Sequence, residues 1–79
     1  MHITVKLFST LRSYYPAYDP ERGVQLELPA GACLRDLLAH LQIPDFKAAV
    51  ATCNGRIVRA DDRLEDGSLV HLFQPVAGG

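Results

Sequence analysis

The stretch Leu34-Arg35-Asp36-Leu37-Leu38-Ala39-His40-Leu41 decides the layout of this chain, because it contains the one clear helical pattern. Its leucines fall at positions i, i+3, i+4 and i+7 and therefore line one side of a helix. Arg35 and Asp36 fall elsewhere on the helix surface. We predict a helix over residues 33–41, with its leucine row packed against a sheet.

Two strands are predicted before this helix. Ile3, Val5 and Leu7 alternate with polar residues over residues 2–8, which is the period of a strand with one buried face. Residues 24–28 alternate in the same way. The link between the two runs is short and rich in turn residues, which favours an antiparallel hairpin.

Three more strands are predicted after the helix. Residues 49–53 and 56–58 flank Asn54-Gly55, a dipeptide that readily adopts the positive φ angles of a two-residue hairpin. The last strand covers residues 69–73. It ends before Pro75, which has no amide hydrogen to donate to a neighbouring strand.

This order of elements predicts an α+β protein with a β-grasp, or ubiquitin-like, fold. A mixed sheet of about five strands would carry one main helix on one face, so that the leucine row and the alternating apolar residues are buried together. We expect residues 1–74 to form this domain and residues 75–79 to form a flexible C-terminal tail ending in Gly-Gly.

Length and composition exclude several classes of function. A chain of 79 residues has room for one small domain, and 48% hydrophobic with 22% charged residues is typical of a globular protein. A net charge of −1 gives no broad positive field for nucleic acid. Because no signal peptide or long apolar run is present, we predict a cytoplasmic protein without a membrane partner.

The cysteines and histidines do not suggest a metal or catalytic centre. Cys33 and Cys53 are predicted to be free thiols with structural roles, although two cysteines could form one disulfide in a secreted protein. The histidines His2, His40 and His71 are too scattered for a zinc site. We therefore predict no metal and no bound cofactor.

The last strand predicts a surface for partner proteins. Val70 and Leu72 share one face of this strand, whereas Leu69, His71 and Phe73 share the other. A buried His71 would need a hydrogen-bond partner under the helix, so we assign Val70 and Leu72 to the core. The other three then form an exposed partner-binding patch. The alternative is that Phe73 folds back to seal the edge of the sheet.

The stretch Leu64-Glu65-Asp66-Gly67-Ser68-Leu69-Val70, followed by Pro75-Val76-Ala77-Gly78-Gly79, resembles the C-terminal signature of the MoaD/ThiS family of sulfur carriers. The resemblance covers nearly the whole chain. Residues similar to those of the family also stand earlier, at Phe8, Leu11-Arg12, Pro29-Ala30-Gly31, the leucines from Leu34 to Leu38, and Asn54-Gly55.

The resemblance implies a reaction at the C-terminus. An E1-like adenylating enzyme would use ATP and Mg²⁺ to make an acyl-adenylate at Gly79, and a sulfur donor would then convert it to a thiocarboxylate. Gly78 has no Cβ atom and would help the tail thread a narrow active site. Pro75, Val76 and Ala77 would contact partners. The protein itself would be a carrier and not an enzyme.

Several pathways are open to such a carrier. The Pro75-Val76 step resembles the branch that delivers sulfur to a molybdopterin synthase large subunit, in molybdenum or tungsten cofactor synthesis. The other branch supplies thiamin thiazole synthesis. Two further alternatives are a ubiquitin-like protein modifier and a plain interaction module in which the Gly-Gly end is inert.

Overall fold

The computed structural model describes residues 1–8, 11–12, 15, 17–43 and 50–73. Within them, the six predicted elements are present, with ends that differ from the prediction by at most one residue. In chain order they are β1 (His2–Leu7), β2 (Val24–Glu27), α1 (Leu34–Leu41), β3 (Val50–Cys53), β4 (Arg56–Val58) and β5 (Leu69–Phe73). The predicted tail, residues 75–79, lies outside the described residues.

The strands form one mixed sheet in the order β2-β1-β5-β3-β4. The last strand of the chain therefore lies at the centre, parallel to β1 and antiparallel to β3. The β1–β2 hairpin is antiparallel, as predicted, and so is the β3–β4 hairpin around Asn54-Gly55. Two positive φ angles, 51° at Asn54 and 87° at Gly55, close this second turn.

The core lies between α1 and one face of the sheet. The α1 leucines are buried together with Ile3, Val5 and Leu7 of β1. Val70 and Leu72 of β5 are fully buried in the same cluster, which confirms their predicted inward orientation. Each such side chain contributes roughly 1.5–3 kcal/mol by leaving water.

Cys33 was predicted to be the first residue of the helix, and in the structure it is the N-cap residue. Cys33 has extended backbone angles, and α1 begins at Leu34. The backbone N–H of Cys33 donates to Oδ2 of Asp36 at 2.9 Å, and the Cys33 thiol donates to the same oxygen at 3.3 Å. These two hydrogen bonds lower the pKa of Asp36, because they stabilise its ionised form.

A loop supplies acceptors for the first turn of α1. The backbone N–H groups of Leu34 and Arg35 donate to the carbonyl oxygens of Asp62 and Ala60, at 3.1 and 2.9 Å. These amides have no partner inside a helix, so the loop satisfies them. Nη1 of Arg35 also pairs with Oδ1 of Asp61 at 2.8 Å. The start of α1 is thus held mainly by backbone groups and not by a strong side-chain cap.

A polar cluster joins β1 to β2 on the face of the sheet opposite α1. Nδ1 of His2 lies 3.0 Å from Oε1 of Glu27, and Nε2 of His2 bonds to Oε1 of Gln25. Gln25 Nε2 donates to the carbonyl of Arg22, so its Oε1 is the acceptor. Both ring nitrogens of His2 therefore face acceptors, which favours the imidazolium. The pKa of His2 is raised from 6.5, first by the Glu27 hydrogen bond and then by that of Gln25.

We predict that Cys33→Ser stabilises the protein by at most about 1 kcal/mol, because a hydroxyl caps a helix better than a thiol. The free energy of unfolding, measured by chemical denaturation, checks this. Cys53→Ser is the matched control, since it makes the same atom change in a strand packed against the core and should not stabilise. A loss of stability in Cys33→Ser equal to that of the control would contradict the capping account.

We predict that Glu27→Gln shifts the pKa of His2 back toward 6.5, because the neutral amide removes the largest stabilising contact of the imidazolium. Because the folded-state pKa is raised, the stabilisation is complete below pH 6.5 and is lost as the pH rises through the folded-state value. An NMR titration of the imidazole measures the shift. Glu21→Gln makes the same change in charge away from His2 and is the control; an equal His2 pKa in wild type and Glu27→Gln would refute the assignment.

Candidate partner-binding face

The alternation of β5 places the predicted patch on the open face, which we define as the side of the sheet opposite α1. Leu69 is exposed and His71 and Phe73 are half-buried, whereas the residues between them lie in the core. Their role in binding a partner stays a prediction. The other predicted site residues, 75–79, fall outside the described part of the chain.

An aromatic cluster occupies the end of the open face at which β5 finishes. The rings of Phe8 and Phe73 stack with centroids 4.9 Å apart and an interplanar angle of 12°. His71 meets Phe8 edge-on at 5.4 Å and Phe73 edge-on at 6.3 Å. Such distances are typical of favourable aromatic pairs. Phe73 therefore lies on the central strand against Phe8 and does not seal an edge of the sheet.

Apolar residues extend this cluster across β3 and β4. Val50 lies opposite Phe73 in the β3–β5 pairing, and Ile57 lies opposite Thr52 in the β3–β4 hairpin. Residues paired in this way point to the same face, so both join the open face. Among the described residues, the exposed large hydrophobic side chains are Val50 at 37%, Ile57 at 76% and Leu69 at 37%. All three lie on this face.

We call this part of the open face, over β5, β3 and β4, the apolar half; it consists of Phe8, Val50, Ile57, Leu69, His71 and Phe73. Thr52 lies between Ile57 and His71 on the same face. Exposed apolar side chains grouped on one face are typical of sites of protein–protein contact. Val50 and Ile57 were not among the site residues predicted from the sequence. Phe8 was named there only as one of the residues that resemble the family.

The rest of the open face, over β1 and β2, is polar, and its side chains form hydrogen bonds with one another and with loop carbonyl groups. His2 bonds to Glu27 and Gln25, and Thr4 Oγ1 donates to Gln25 at 3.0 Å. The ammonium of Lys6 donates to the carbonyl oxygens of Pro20 and Glu21. Binding a partner on this side would break or cover existing hydrogen bonds. The apolar half is therefore the better candidate for a docking surface.

The described residues contain no group of three or more His, Cys, Asp or Glu that could hold a metal ion. Both cysteines are free thiols, as predicted, and both are half-buried. In the same part of the chain, no helix is long and apolar enough to cross a membrane. What the described residues show at this site is a set of exposed apolar and aromatic side chains beside the end of β5.

Comparisons with known proteins agree with this description. A family model described as the ThiS family matches residues 5–79. A putative molybdopterin converting factor, subunit 1, from Pyrococcus furiosus is 30% identical, with 96% of this chain and 99% of that chain covered and a TM-score of 0.74.

Two more solved structures support the fold. The small archaeal modifier protein 1 of Haloferax volcanii is 22% identical, with 95% of this chain and 98% of that chain covered and a TM-score of 0.72. A protein–protein complex of subunits 1 and 2 of molybdopterin-converting factor from Helicobacter pylori contains a chain that is 21% identical, with 100% of both chains covered and a TM-score of 0.61. Because the family match spans residues 5–79 and the 30% identical Pyrococcus furiosus structure covers 96% of this chain, this chain belongs to the MoaD/ThiS family of ubiquitin-like sulfur carriers.

Proposed function

We propose that this protein carries sulfur as a thiocarboxylate on Gly79 and delivers it in molybdopterin synthesis. The observation that carries the proposal is that the family match runs to the end of the given sequence and includes Gly78 and Gly79. The Pyrococcus furiosus relative, named as a putative molybdopterin converting factor subunit, supports this branch over thiamin thiazole synthesis.

The chemistry explains why the carrier needs partners. A C-terminal carboxylate has a pKa of roughly 3.5, so it is ionised at neutral pH and resists attack by a nucleophile. An E1-like partner would use ATP and Mg²⁺ to join AMP to the Gly79 carboxylate, with release of pyrophosphate. A sulfur donor at the oxidation level of sulfide would then attack the acyl carbon, so that a carbon–sulfur bond forms, AMP leaves and the thiocarboxylate remains. Gly78 and Gly79 would let the tail enter a narrow active site, because neither has a Cβ atom.

We propose that the apolar half of the open face docks both the E1-like enzyme and the acceptor, a molybdopterin synthase large subunit. Its exposed side chains Val50, Ile57 and Leu69 lie on the same face of the sheet as the Phe8–Phe73 stack. That surface reaches the end of β5, from which the chain continues toward Gly79. A partner bound there would hold the tail close to its own active site. Because one surface would serve both partners, they would bind in turn.

A second candidate function is protein modification. Its specific support is the likeness to the protein named small archaeal modifier protein 1, which shares this fold. In that case a lysine amine of a target protein would attack the adenylated Gly79, forming an isopeptide bond and not a thiocarboxylate. An immunoblot of native cells for higher-mass conjugates separates the two functions, because a dedicated sulfur carrier gives none.

We predict that deleting Gly79, or making Gly78→Val, abolishes sulfur loading and leaves the thermal unfolding transition unchanged. The deletion leaves the terminal carboxylate on Gly78, one residue short of the position that the activating enzyme would address, and the β-branched residue restricts the backbone and widens the tail. Loading by the purified E1-like partner is followed by mass spectrometry. Ala77→Gly is the matched control and should load normally, because it keeps the tail narrow. Loading of the protein without Gly79 would exclude this residue as the site.

We predict that Ile57→Ala and Phe73→Ala each weaken binding to the E1-like partner by about tenfold or more, as expected for anchors of an interface. Ile57 is 76% exposed, so its loss should leave the stability nearly unchanged. For Phe73→Ala we expect a destabilisation well below the roughly 3–5 kcal/mol of a core phenylalanine.

Titration against the partner and chemical denaturation measure the two quantities for each variant. Leu72→Ala is the control for burial, because Leu72 is fully buried in the same strand. It should lose roughly 2–5 kcal/mol of stability. If Ile57→Ala and Phe73→Ala both bound the E1-like enzyme and the acceptor with unaltered affinity, the docking surface would be wrong.

A further inference from the structure

A pocket lies on the side of the sheet opposite the partner-binding face. It has a volume of about 340 Å³ and opens between the β3–β4 hairpin and the loop that leads to β5. No residue of α1 contributes to its walls. It is lined by Cys53, Asn54, Arg56, Val58, Arg63, Glu65 and Ser68. This volume is at the lower end of the range of small-molecule sites, about 300 Å³ and upward.

The rim of the pocket has more positive than negative charge. Arg56 and Arg63 are both exposed on it, and neither forms an ion pair with another described residue. Arg35, by contrast, is neutralised by Asp61. Glu65 is the one acidic residue of the lining, so two guanidinium groups face one carboxylate. Among the lining residues alone, this balance of charge favours an anion.

The floor of the pocket is apolar. Cys53 and Val58 are half-buried and pack against the core of the domain. The hydroxyl of Ser68 is buried and already occupied, since it donates to the Glu65 carbonyl at 2.6 Å and accepts from the Glu65 N–H at 3.2 Å. The polar groups that remain for a ligand are mainly the two guanidinium groups. Guanidinium groups bind carboxylates and phosphates through paired hydrogen bonds.

We propose that this pocket binds a small organic oxyanion, with its carboxylate or phosphate group held by Arg56 and Arg63 and its apolar part against Cys53 and Val58. Because the pocket and the apolar half lie on opposite faces of the sheet, a ligand could bind while a partner protein is docked. The proposal is independent of the chemistry at Gly79. It gives the domain a ligand site of its own.

The two cysteines allow a direct test within one molecule. Cys53 lines the pocket together with Arg56 and Arg63 and pairs with Arg56 across the β3–β4 hairpin. The backbone of Cys33 also pairs with Arg63, but the Cys33 thiol lies 3.3 Å from the Asp36 carboxylate. Iodoacetate, which is negatively charged, and iodoacetamide, which is neutral, are similar in size. Each reacts by forming a carbon–sulfur bond to the thiolate and releasing iodide. The ratio of their rates therefore reports the local potential at each thiol.

We expect the iodoacetate-to-iodoacetamide rate ratio to be roughly three- to tenfold higher at Cys53 than at Cys33. The reason is that the two exposed guanidinium groups of the lining attract the anionic reagent, and each such interaction is weak in water. Mass spectrometry of the digested protein resolves the two sites. Arg56→Gln and Arg63→Gln should each lower the ratio at Cys53. Arg59→Gln, which changes the same charge at a residue outside the lining, should leave it unchanged. Equal ratios at the two thiols, or an equal effect of Arg59→Gln, would overturn the proposal.

Competition on the wild-type protein tests binding without any variant. Inorganic phosphate and butyrate are added separately at constant ionic strength maintained with chloride, and the reaction of Cys53 with iodoacetamide is followed. Saturable protection of Cys53 and not Cys33 supports the site. Protection by phosphate alone assigns a phosphate group to the ligand, and protection by butyrate alone assigns a carboxylate with an apolar chain. Protection by neither anion overturns the proposal.

Discussion

The parallel pairing of β1 with β5 holds this domain together and decides what each face of the sheet presents. Its register places Val5 beside Val70 and Leu7 beside Leu72, so that four fully buried side chains meet under α1. A shift of β5 by one residue would reverse its faces and bring His71 into the core without water. Because β5 is central, the same pairing also fixes which side chains form the apolar half of the open face.

The two parts of the open face have different physical characters, and this difference fits the role of a carrier. Over β1 and β2 the polar side chains are satisfied by one another and by loop carbonyls, as in the His2–Glu27 and Lys6–Pro20 contacts. Over β5, β3 and β4, exposed apolar side chains such as Ile57 lack such partners. A protein whose reacting group is its own C-terminus needs a surface for recognition, and on our proposal the partners supply the catalytic groups.

Local sequence patterns were sufficient to predict the helix and the strands, but they did not identify every residue of the candidate site. The period of α1 and the alternation of β1 and β5 gave their positions and the inward orientation of Val70 and Leu72. Ile57 was missed because its face depends on the register of β3 with β5, which pairs residues distant in sequence. The contact of Phe8 with Phe73 depends likewise on the parallel pairing. The contact between Asp36 and Cys33 could have been predicted from the sequence, because Asp36 stands at the N3 position of α1. A side chain at N3 can accept a hydrogen bond from the backbone N–H of the N-cap residue.

The central claim is that Gly79 carries sulfur, and mass spectrometry of the protein isolated from its own cells tests it most directly. The account predicts a population whose C-terminal peptide has the mass expected for one sulfur in place of one oxygen, located at Gly79 by fragmentation. Treatment with a thiol-alkylating reagent should label that carbon-bound sulfur in addition to Cys33 and Cys53. A C-terminal peptide that carries only the ordinary carboxylate, in cells that are actively making the product of the pathway, would contradict the account.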